Sequence, residues 1–75
     1  MTDRYEGPIE QGMVLTAPDN DGRLGFRRVL VLAPYLPDPS YWIIEDLPSR
    51  MRGGTGYLGR IPEANLRIVF VPESR

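Results

Sequence analysis

The sequence predicts an all-β fold, a small five-stranded antiparallel barrel, and three observations lead to it. Short apolar runs recur along the chain, each closed by turn residues. No window carries an apolar i, i+3, i+4, i+7 stripe long enough for a helix. Eight glycines and eight prolines in 75 residues disfavour helices further. Closure into a barrel is expected because an open five-stranded sheet this small leaves one bare face and two unpaired edges.

One domain accounts for the whole chain, since 75 residues build only one small core. Residues 1–8 are polar, end in Gly7-Pro8 and are expected to form a flexible N-terminal arm. The barrel is predicted over residues 9–72, and a C-terminal tail over residues 73–75. The five strands are expected at residues 13–16, 27–33, 41–45, 56–61 and 66–71.

Turn residues bound these strands. Residues 17–22 read Ala-Pro-Asp-Asn-Asp-Gly, and an Asx hydrogen bond explains the aspartates better than a calcium loop does. The run RRVLVLA, residues 27–33, ends at Pro34, and YWIIE, residues 41–45, is rich in aromatic and β-branched residues. Residues 47–55 contain a proline and two glycines, which predicts a long mobile loop.

Pro62 determines the prediction for the last connection. Its fixed φ suits the first position of a tight turn, and residues 63–65 can complete one 3₁₀ turn. One face of the strand that follows would carry Leu66, Ile68 and Phe70, and the other face Val69 and Val71.

The end of the chain resembles a known family. The pattern Gly59-x-Ile61-Pro62-x-x-x-Leu66 is similar to the G-x-I-P-x-N-Y-V close of SH3 domains. Tyr41-Trp42 lies where the paired tryptophans of those domains fall. This resemblance implies an SH3-like barrel, of the small type common in bacterial and phage genomes, with one 3₁₀ turn before the last strand.

The front half resembles the start of MazF-type toxin endoribonucleases, which are also built on an SH3-like barrel. The similar residues are Gly12-Met13-Val14, a turn, and the run at 27–32. This resemblance implies that Arg27 occupies the position of the family's catalytic arginine. Arg28 stands where the family has proline, and YWIIED lacks the family's catalytic serine or threonine. An endoribonuclease therefore ranks below the two binding functions considered next.

The composition excludes several chemistries. Without cysteine or histidine, the chain lacks thiolate ligands, cysteine nucleophiles and the commonest general base. All nine basic residues are arginine, which removes Schiff-base and P-loop chemistry. A polar N-terminus and the lack of any run of about 20 apolar residues predict a cytoplasmic protein without signal peptide or membrane span. We expect no enzyme activity, no cofactor and no metal.

The expected function is that of an interaction module, an accessory subunit or adaptor. It would bind a larger protein, or a second copy of itself, through strand faces and loops. Residues 29–33 and 41–44 are apolar on both faces, so neighbouring strands would leave an outward apolar patch. A polyproline groove with Asp19 and Asp21 as its acidic loop is one form of the site, and Trp42 as a core cap is the other interpretation. The predicted protein-binding residues are Tyr41, Trp42, Tyr57, Pro62, Val69 and Val71.

Nucleic-acid binding is the alternative function. Arginines on a β-surface beside aromatic side chains can hold phosphates and stack bases. The formal net charge of −1 provides no global field to attract nucleic acid. The residues predicted for this function are Arg27, Arg28, Arg50, Arg52 and Arg60.

Overall fold

A computed structural model of the chain describes residues 5–49 and 56–73. Its elements are β1 Val14–Ala17, β2 Arg27–Pro34, β3 Tyr41–Leu47, β4 Leu58–Pro62, α1 Glu63–Val69 and β5 Val71–Pro72. The first four strands lie close to their predicted positions, because each predicted run is bounded by turn residues. None of the described residues forms a helix long or apolar enough to cross a membrane.

The five strands form one antiparallel sheet. Its order is β4-β3-β2-β1-β5, so the two strands with apolar residues on both faces, β2 and β3, are neighbours. A bulge interrupts their pairing between Val31 and Ala33. Within the described ranges the sheet is open, since β4 and β5 form its two edges and no pairing joins them.

One face of the sheet carries the core. Leu15 on β1 lies opposite Val29 on β2, and Val31 lies opposite Ile44 on β3. All four side chains are buried, and we call the face that they share the inner face. Residues one position along each strand point to the opposite, outer face. The core is covered on its open side by α1 and by the residue that follows it.

The chain after β4 is helical, so the predicted strand at residues 66–71 is wrong, and so is the single 3₁₀ turn. Leu66 and Phe70, four residues apart, are both buried, whereas Ile68 and Val69 are 50% and 48% exposed. A strand would instead have placed Leu66, Ile68 and Phe70 on one buried face. Only β5, two residues long, remains extended, and Val69 and Val71 therefore lie on different elements.

Local chemistry explains this helix. Leu66 and Arg67 are strong helix formers, and Glu63 pairs with Arg67 one turn later, Oε2 to Nη2 at 3.0 Å. Pro62 is the N-cap residue, with φ −60° and ψ 142°, which suits the end of a strand. A helix of seven residues is marginal by itself, and the burial of Leu66 in the core stabilises it. Its sequence is too short to show an apolar stripe.

Residues 5–9 lie against α1. The Tyr5 N–H donates to the Arg67 carbonyl at 2.9 Å, and the Arg67 guanidinium donates in return to the carbonyl oxygens of Tyr5 and Gly7. The guanidinium carbon also lies 5.9 Å from the centroid of the Tyr5 ring. Ile9 is buried in the core. The described part of the N-terminal arm thus packs on the domain.

An ion pair across β1 secures β5 to the sheet. Arg28 on β2 donates from Nε and Nη2 to the Glu73 carboxylate at 2.6 and 3.0 Å. This bond is the main reason why the pKa of Arg28 is raised. Thr16 lies between the two strands, as the register partner of both Arg28 and Val71. The ion pair therefore crosses the outer face beside Thr16, whose side chain is buried.

Replacing Leu66 and Ile68 one at a time distinguishes the helix from the predicted strand. Because Leu66 is buried and Ile68 half exposed, Leu66→Ala should lower the free energy of unfolding by about 2–5 kcal/mol. Ile68→Ala should lower it by about 0.5 kcal/mol or less. Urea denaturation followed by circular dichroism measures both values. Similar losses for the two variants would mean that both side chains share a buried face, which contradicts the helix.

Candidate functional site

Tyr35, Tyr41 and Arg60 form a cluster on the outer face. The Tyr35 N–H donates to the Tyr41 carbonyl at 3.0 Å, which closes the β2–β3 hairpin. The two rings meet edge to face, with centroids 6.3 Å apart. The Arg60 guanidinium carbon lies 5.0 Å from the Tyr35 centroid and 5.5 Å from the Tyr41 centroid. We call these three residues the aromatic–arginine cluster.

The register of β3 and β4 brings Arg60 to the tyrosines. Tyr41 lies opposite Pro62 and Ile43 lies opposite Arg60, so Tyr41 and Arg60 are diagonal neighbours on one face. Long side chains reach a diagonal neighbour across a sheet, where Cα atoms are about 7–8 Å apart. A slip of one residue in this register would turn Arg60 to the inner face and dismantle the cluster.

Arg60 differs from the other described arginines because no described carboxylate pairs with it. The ion pairs are Arg23 with Asp19 and Asp21, Arg27 with Asp46, Arg28 with Glu73, and Arg67 with Glu63. Within residues 5–49 and 56–73, Arg60 makes no such pair. Its guanidinium stacks on two rings and the residue is exposed, so its N–H donors are available to a ligand.

Asp38, in the β2–β3 loop, is close enough to Arg60 for the charge of Arg60 to affect its pKa, but the two side chains form no ion pair. Its Oδ1 accepts from the Ser40 hydroxyl at 2.7 Å and from the Ser40 N–H at 3.2 Å. These hydrogen bonds are the main cause of a lowered pKa at Asp38, and the charge of Arg60 adds to the effect. The Asp38 carboxylate is thus hydrogen-bonded within its own loop, and the Arg60 guanidinium can bind another partner.

Exposed apolar side chains flank the cluster. Leu36, next to Tyr35, is 83% exposed, and Leu58, two residues before Arg60, is 60% exposed. Tyrosine and arginine are enriched among the residues that dominate binding energy at protein interfaces. The arrangement can therefore bind a carboxylate through Arg60 and an apolar side chain beside it.

The six predicted protein-binding residues do not form one surface. Three of them belong to the β3–β4 edge of the sheet, where Tyr41 and Pro62 lie opposite each other and Tyr57 immediately precedes β4. The other three lie elsewhere: Trp42 faces inward, Val69 lies on α1 and Val71 lies on β5. The protein-binding residues that the structure brings near Arg60 are therefore Tyr41 and Pro62.

Trp42 packs against the core and is tied to α1. Its Nε1–H donates to Glu63 Oε1 at 2.9 Å, and Glu63 Oε2 accepts from Nε and Nη2 of Arg67 at 3.1 and 3.0 Å. The hydrogen bond from Trp42 is the main cause of a lowered pKa at Glu63, and Arg67 adds to it. This is the geometry of a core cap and not of an exposed groove.

The predicted acidic loop lies at the other end of the sheet. Asp19 Oδ1 accepts from the N–H groups of Asp21 and Arg23 at 2.8 and 2.9 Å, which confirms the predicted Asx turn. The turn leads into the first residue of β2, whereas Tyr41 pairs near the last residues of β2. The eight residues of β2 span about 23 Å. Asp19 and Asp21 therefore cannot form one groove with Tyr41.

The predicted nucleic-acid-binding residues are also divided. Arg27, which the MazF resemblance makes catalytic, and Arg28 are each paired with a carboxylate. Arg50 and Arg52 lie outside the described residues. Of the five, Arg60 is the described member whose charge is uncompensated. The basic surface expected for nucleic acid is thus reduced to one arginine in the part of the chain that the structure describes.

A cavity of about 260 Å³ lies on the far side of β1 from the cluster. Its lining residues are Thr16, Leu24, Gly25, Pro72 and Glu73. The Glu73 carboxylate is already paired with Arg28, and Thr16 Oγ1 is buried without a hydrogen-bond partner. Across the described ranges, no group of three or more acidic side chains could hold a metal ion. The cavity offers less binding chemistry than the cluster does.

Sequence analysis assigned no role to Tyr35 and Leu36, because they lie between the predicted strands at residues 27–33 and 41–45. A signal was present. Two tyrosines flank the turn Leu36-Pro-Asp-Pro-Ser40, and residues that flank a hairpin turn lie opposite each other. The hairpin turn therefore pairs Tyr35 with Tyr41.

A scan against protein-family models, a search of curated proteins and a search of solved structures each found no match to this chain. Function is therefore inferred from the geometry and the charges of the cluster.

The Glu63 carboxylate should make stability depend on acid pH. Its pKa is lowered in the folded state from the ordinary value of 4.5, so the ionised form stabilises the fold above that pH. This stabilisation is lost as the pH falls through the lowered pKa. Glu63→Gln should therefore be less stable than the natural chain at neutral pH, and the difference should shrink below about pH 4.5.

Thermal unfolding followed by Trp42 fluorescence at several pH values measures this difference. Glu10→Gln is the matched control, because Glu10 is exposed and its replacement should leave the stability difference constant with pH. A Glu63→Gln deficit that stays unchanged from neutral to acid pH would contradict the role given to the carboxylate.

Proposed function

We propose that the chain is a non-enzymatic interaction module, an accessory subunit or adaptor that binds a larger protein through the aromatic–arginine cluster. The partner is a segment that presents a carboxylate beside an apolar side chain. One observation carries this proposal: among the described arginines, Arg60 has no carboxylate partner, and it is held on two tyrosine rings. The other described arginines all pair with carboxylates, so Arg60 is the exposed cation that a ligand can bind.

The energetics of the cluster support such a role. Stacking on Tyr35 and Tyr41 restricts the Arg60 side chain before any ligand arrives, so less conformational entropy is lost on binding. A guanidinium presents its N–H groups in a planar fork that matches both oxygens of a carboxylate. Leu36 and Leu58 supply exposed apolar surface at either side. The polar contact would give specificity, and the apolar contacts would add affinity.

We also propose that the sheet is of the SH3-like barrel type. Three features support it: five antiparallel strands, a last strand that returns to pair with β1, and a single helical connection between β4 and β5. The curvature of the sheet between β4 and β5 tests this assignment. A strongly curved sheet, with the outer edge of β4 left free, is expected, and a flat sheet would contradict the assignment.

Nucleic-acid binding remains the second candidate, because an arginine beside two tyrosines can also hold a phosphate and a stacked base. The pairing of Arg27 and Arg28 with carboxylates weakens it. Salt dependence separates the two functions, since contacts to several phosphates make affinity fall steeply between about 50 and 200 mM salt.

An array of extended peptides tests the proposed function. Each peptide contains leucine and proline, with one glutamate stepped through its length, and each has a matched peptide with glutamine in place of glutamate. The natural chain should bind the best glutamate peptide roughly tenfold more tightly than its glutamine match, because the charged hydrogen bond to Arg60 is lost. Arg60→Gln should remove this preference. Fluorescence polarisation measures the affinities.

Arg23→Gln is the control, since Arg23 is an exposed arginine that is already paired with Asp19 and Asp21; the preference for glutamate should survive in this variant. An array on which the natural chain never prefers glutamate would overturn the proposal. Tight, strongly salt-dependent binding of a single-stranded oligonucleotide that Arg60→Gln abolishes would favour the nucleic-acid function.

A further inference from the structure

The free edge of β4 presents unpaired backbone groups. The Asp46 N–H donates to the Tyr57 carbonyl at 2.9 Å, and the Glu63 N–H donates to the Ser40 carbonyl at 2.7 Å. The direction of the backbone N–H and C=O groups alternates along a strand. In this segment the backbone groups of the odd-numbered residues therefore point towards β3. The N–H and C=O groups of Leu58 and Arg60 therefore point away from the sheet. Both residues are exposed, and none of residues 5–49 and 56–73 covers this edge.

Gly59 lies between them, and no contact with the described part of its own chain requires it to be glycine. A Cβ atom built on it meets nothing within 4 Å, and its φ is not positive. Glycine inside a strand costs conformational entropy and packs no side chain, and it commonly marks a place where another backbone approaches closely. The open edge and the unexplained glycine thus coincide at the centre of β4.

We propose that β4 pairs antiparallel with β4 of a second copy of this chain, about a two-fold axis that passes beside Gly59. In this register Leu58 lies opposite Arg60 of the second copy, and Gly59 lies opposite its own equivalent. Each of the two symmetry-related Leu58–Arg60 pairs exchanges both of its N–H···O bonds. The paired edges form one continuous sheet and remove the exposed strand edge from both copies.

Neighbouring registers are less favourable. A shift that places Arg60 opposite Arg60 of the second copy puts like charges directly across the interface, which is destabilising, and it brings in Pro62, which has no N–H to donate. The opposite shift, with Leu58 opposite Leu58, requires Gly56 to continue the ladder. Gly56 has φ +66°, outside the extended region, so its backbone groups are not aligned for pairing.

The charges on the outer face also fit the chosen register. Glu45 lies opposite Leu58 within one chain, and Leu58 lies opposite Arg60 of the second copy. Each cross-strand row therefore reads Glu45, Leu58, then Arg60 of the second copy. The two backbone positions are two strand spacings apart, about 9.6 Å, and the Arg60 guanidinium leans towards its own Tyr35 and Tyr41. The row therefore places no like charges across the interface and leaves the guanidinium available on the outer face.

The pairing does not rest on the proposed function, because it uses the backbone edge of β4 and not the tyrosine-stacked guanidinium. It does affect that function. The two aromatic–arginine clusters would lie on the same face of the continuous sheet, so one dimer could engage two sites on a single partner and gain avidity from their high effective concentration.

A single-cysteine variant tests the register. The natural chain has no cysteine, and Gly59→Cys introduces one at a position with room for its side chain. At the two-fold axis the two Cα atoms would lie about 4.5 Å apart, inside the range of about 4.4–6.8 Å that a disulfide requires. Gly59→Cys should form a disulfide-linked dimer under mild oxidation. Leu58→Cys, with Cα atoms about 8 Å apart or more, should cross-link much less.

Leu58→Pro tests the edge itself in the otherwise natural chain. The Leu58 N–H points outward, so proline there removes a donor from the interface and none from the β3–β4 ladder. Sedimentation equilibrium should give a mass rising with concentration towards twice 8.5 kDa for the natural chain. Leu58→Pro should lower the association constant roughly tenfold or more with an unchanged circular dichroism spectrum.

A natural chain that stays monomeric at every concentration, with no Gly59→Cys cross-linking, would overturn the pairing. Preferential cross-linking of Leu58→Cys would overturn the register. Leu58→Pro loses the apolar contact of Leu58 but retains Arg60, Tyr35 and Tyr41, so its affinity for single peptides should fall in part while its preference for glutamate over the glutamine match persists. Loss of the dimer and loss of the proposed function are therefore distinguishable.

Discussion

The hydrogen-bonded chain from Trp42 through Glu63 to Arg67 is the interaction on which the rest of this small structure depends. Trp42 belongs to β3, Glu63 and Arg67 to α1, and Arg67 in turn holds the carbonyl oxygens of Tyr5 and Gly7. One carboxylate therefore connects the sheet, the helix and the N-terminal segment. The helix matters most, because it carries a completely buried leucine onto the inner face. A helix of seven residues is marginal without such external support.

Much of the sheet could be predicted from the sequence, and the last connection could not. The strands β1 to β3 combine β-branched or aromatic runs with proline and glycine at their ends, so local chemistry alone indicates them. Residues 66–71 show the same alternation, yet most of them are helical. There the tertiary contact of Leu66 and Phe70 with the core outweighs an intrinsic preference that differs by less than about 1 kcal/mol per residue.

The candidate site was predictable only in part, for a geometric reason. Tyr41 and Trp42 are adjacent in sequence, and the period of two in a strand sends their side chains to opposite faces. Tyr41 reaches the outer face and Arg60, whereas Trp42 reaches the core and Glu63. The dipeptide by itself does not show which of its two side chains belongs to the site. Register decides it, and register depends on the turns and on the inner-face pattern together.

Self-association of the domain would explain both the open edge of β4 and the glycine at its centre. A domain of 75 residues has a thin core and would gain stability by sharing burial with a partner. Here the uncovered surface is concentrated: the open backbone edge of β4, the exposed Leu58 and the unpaired Arg60 belong to one short strand. An edge that was merely tolerated would be expected to carry a bulge, a charge pointing inward or a proline at its centre. The centre of β4 has glycine instead, which protects the edge in none of these ways and leaves room for a second backbone to approach closely.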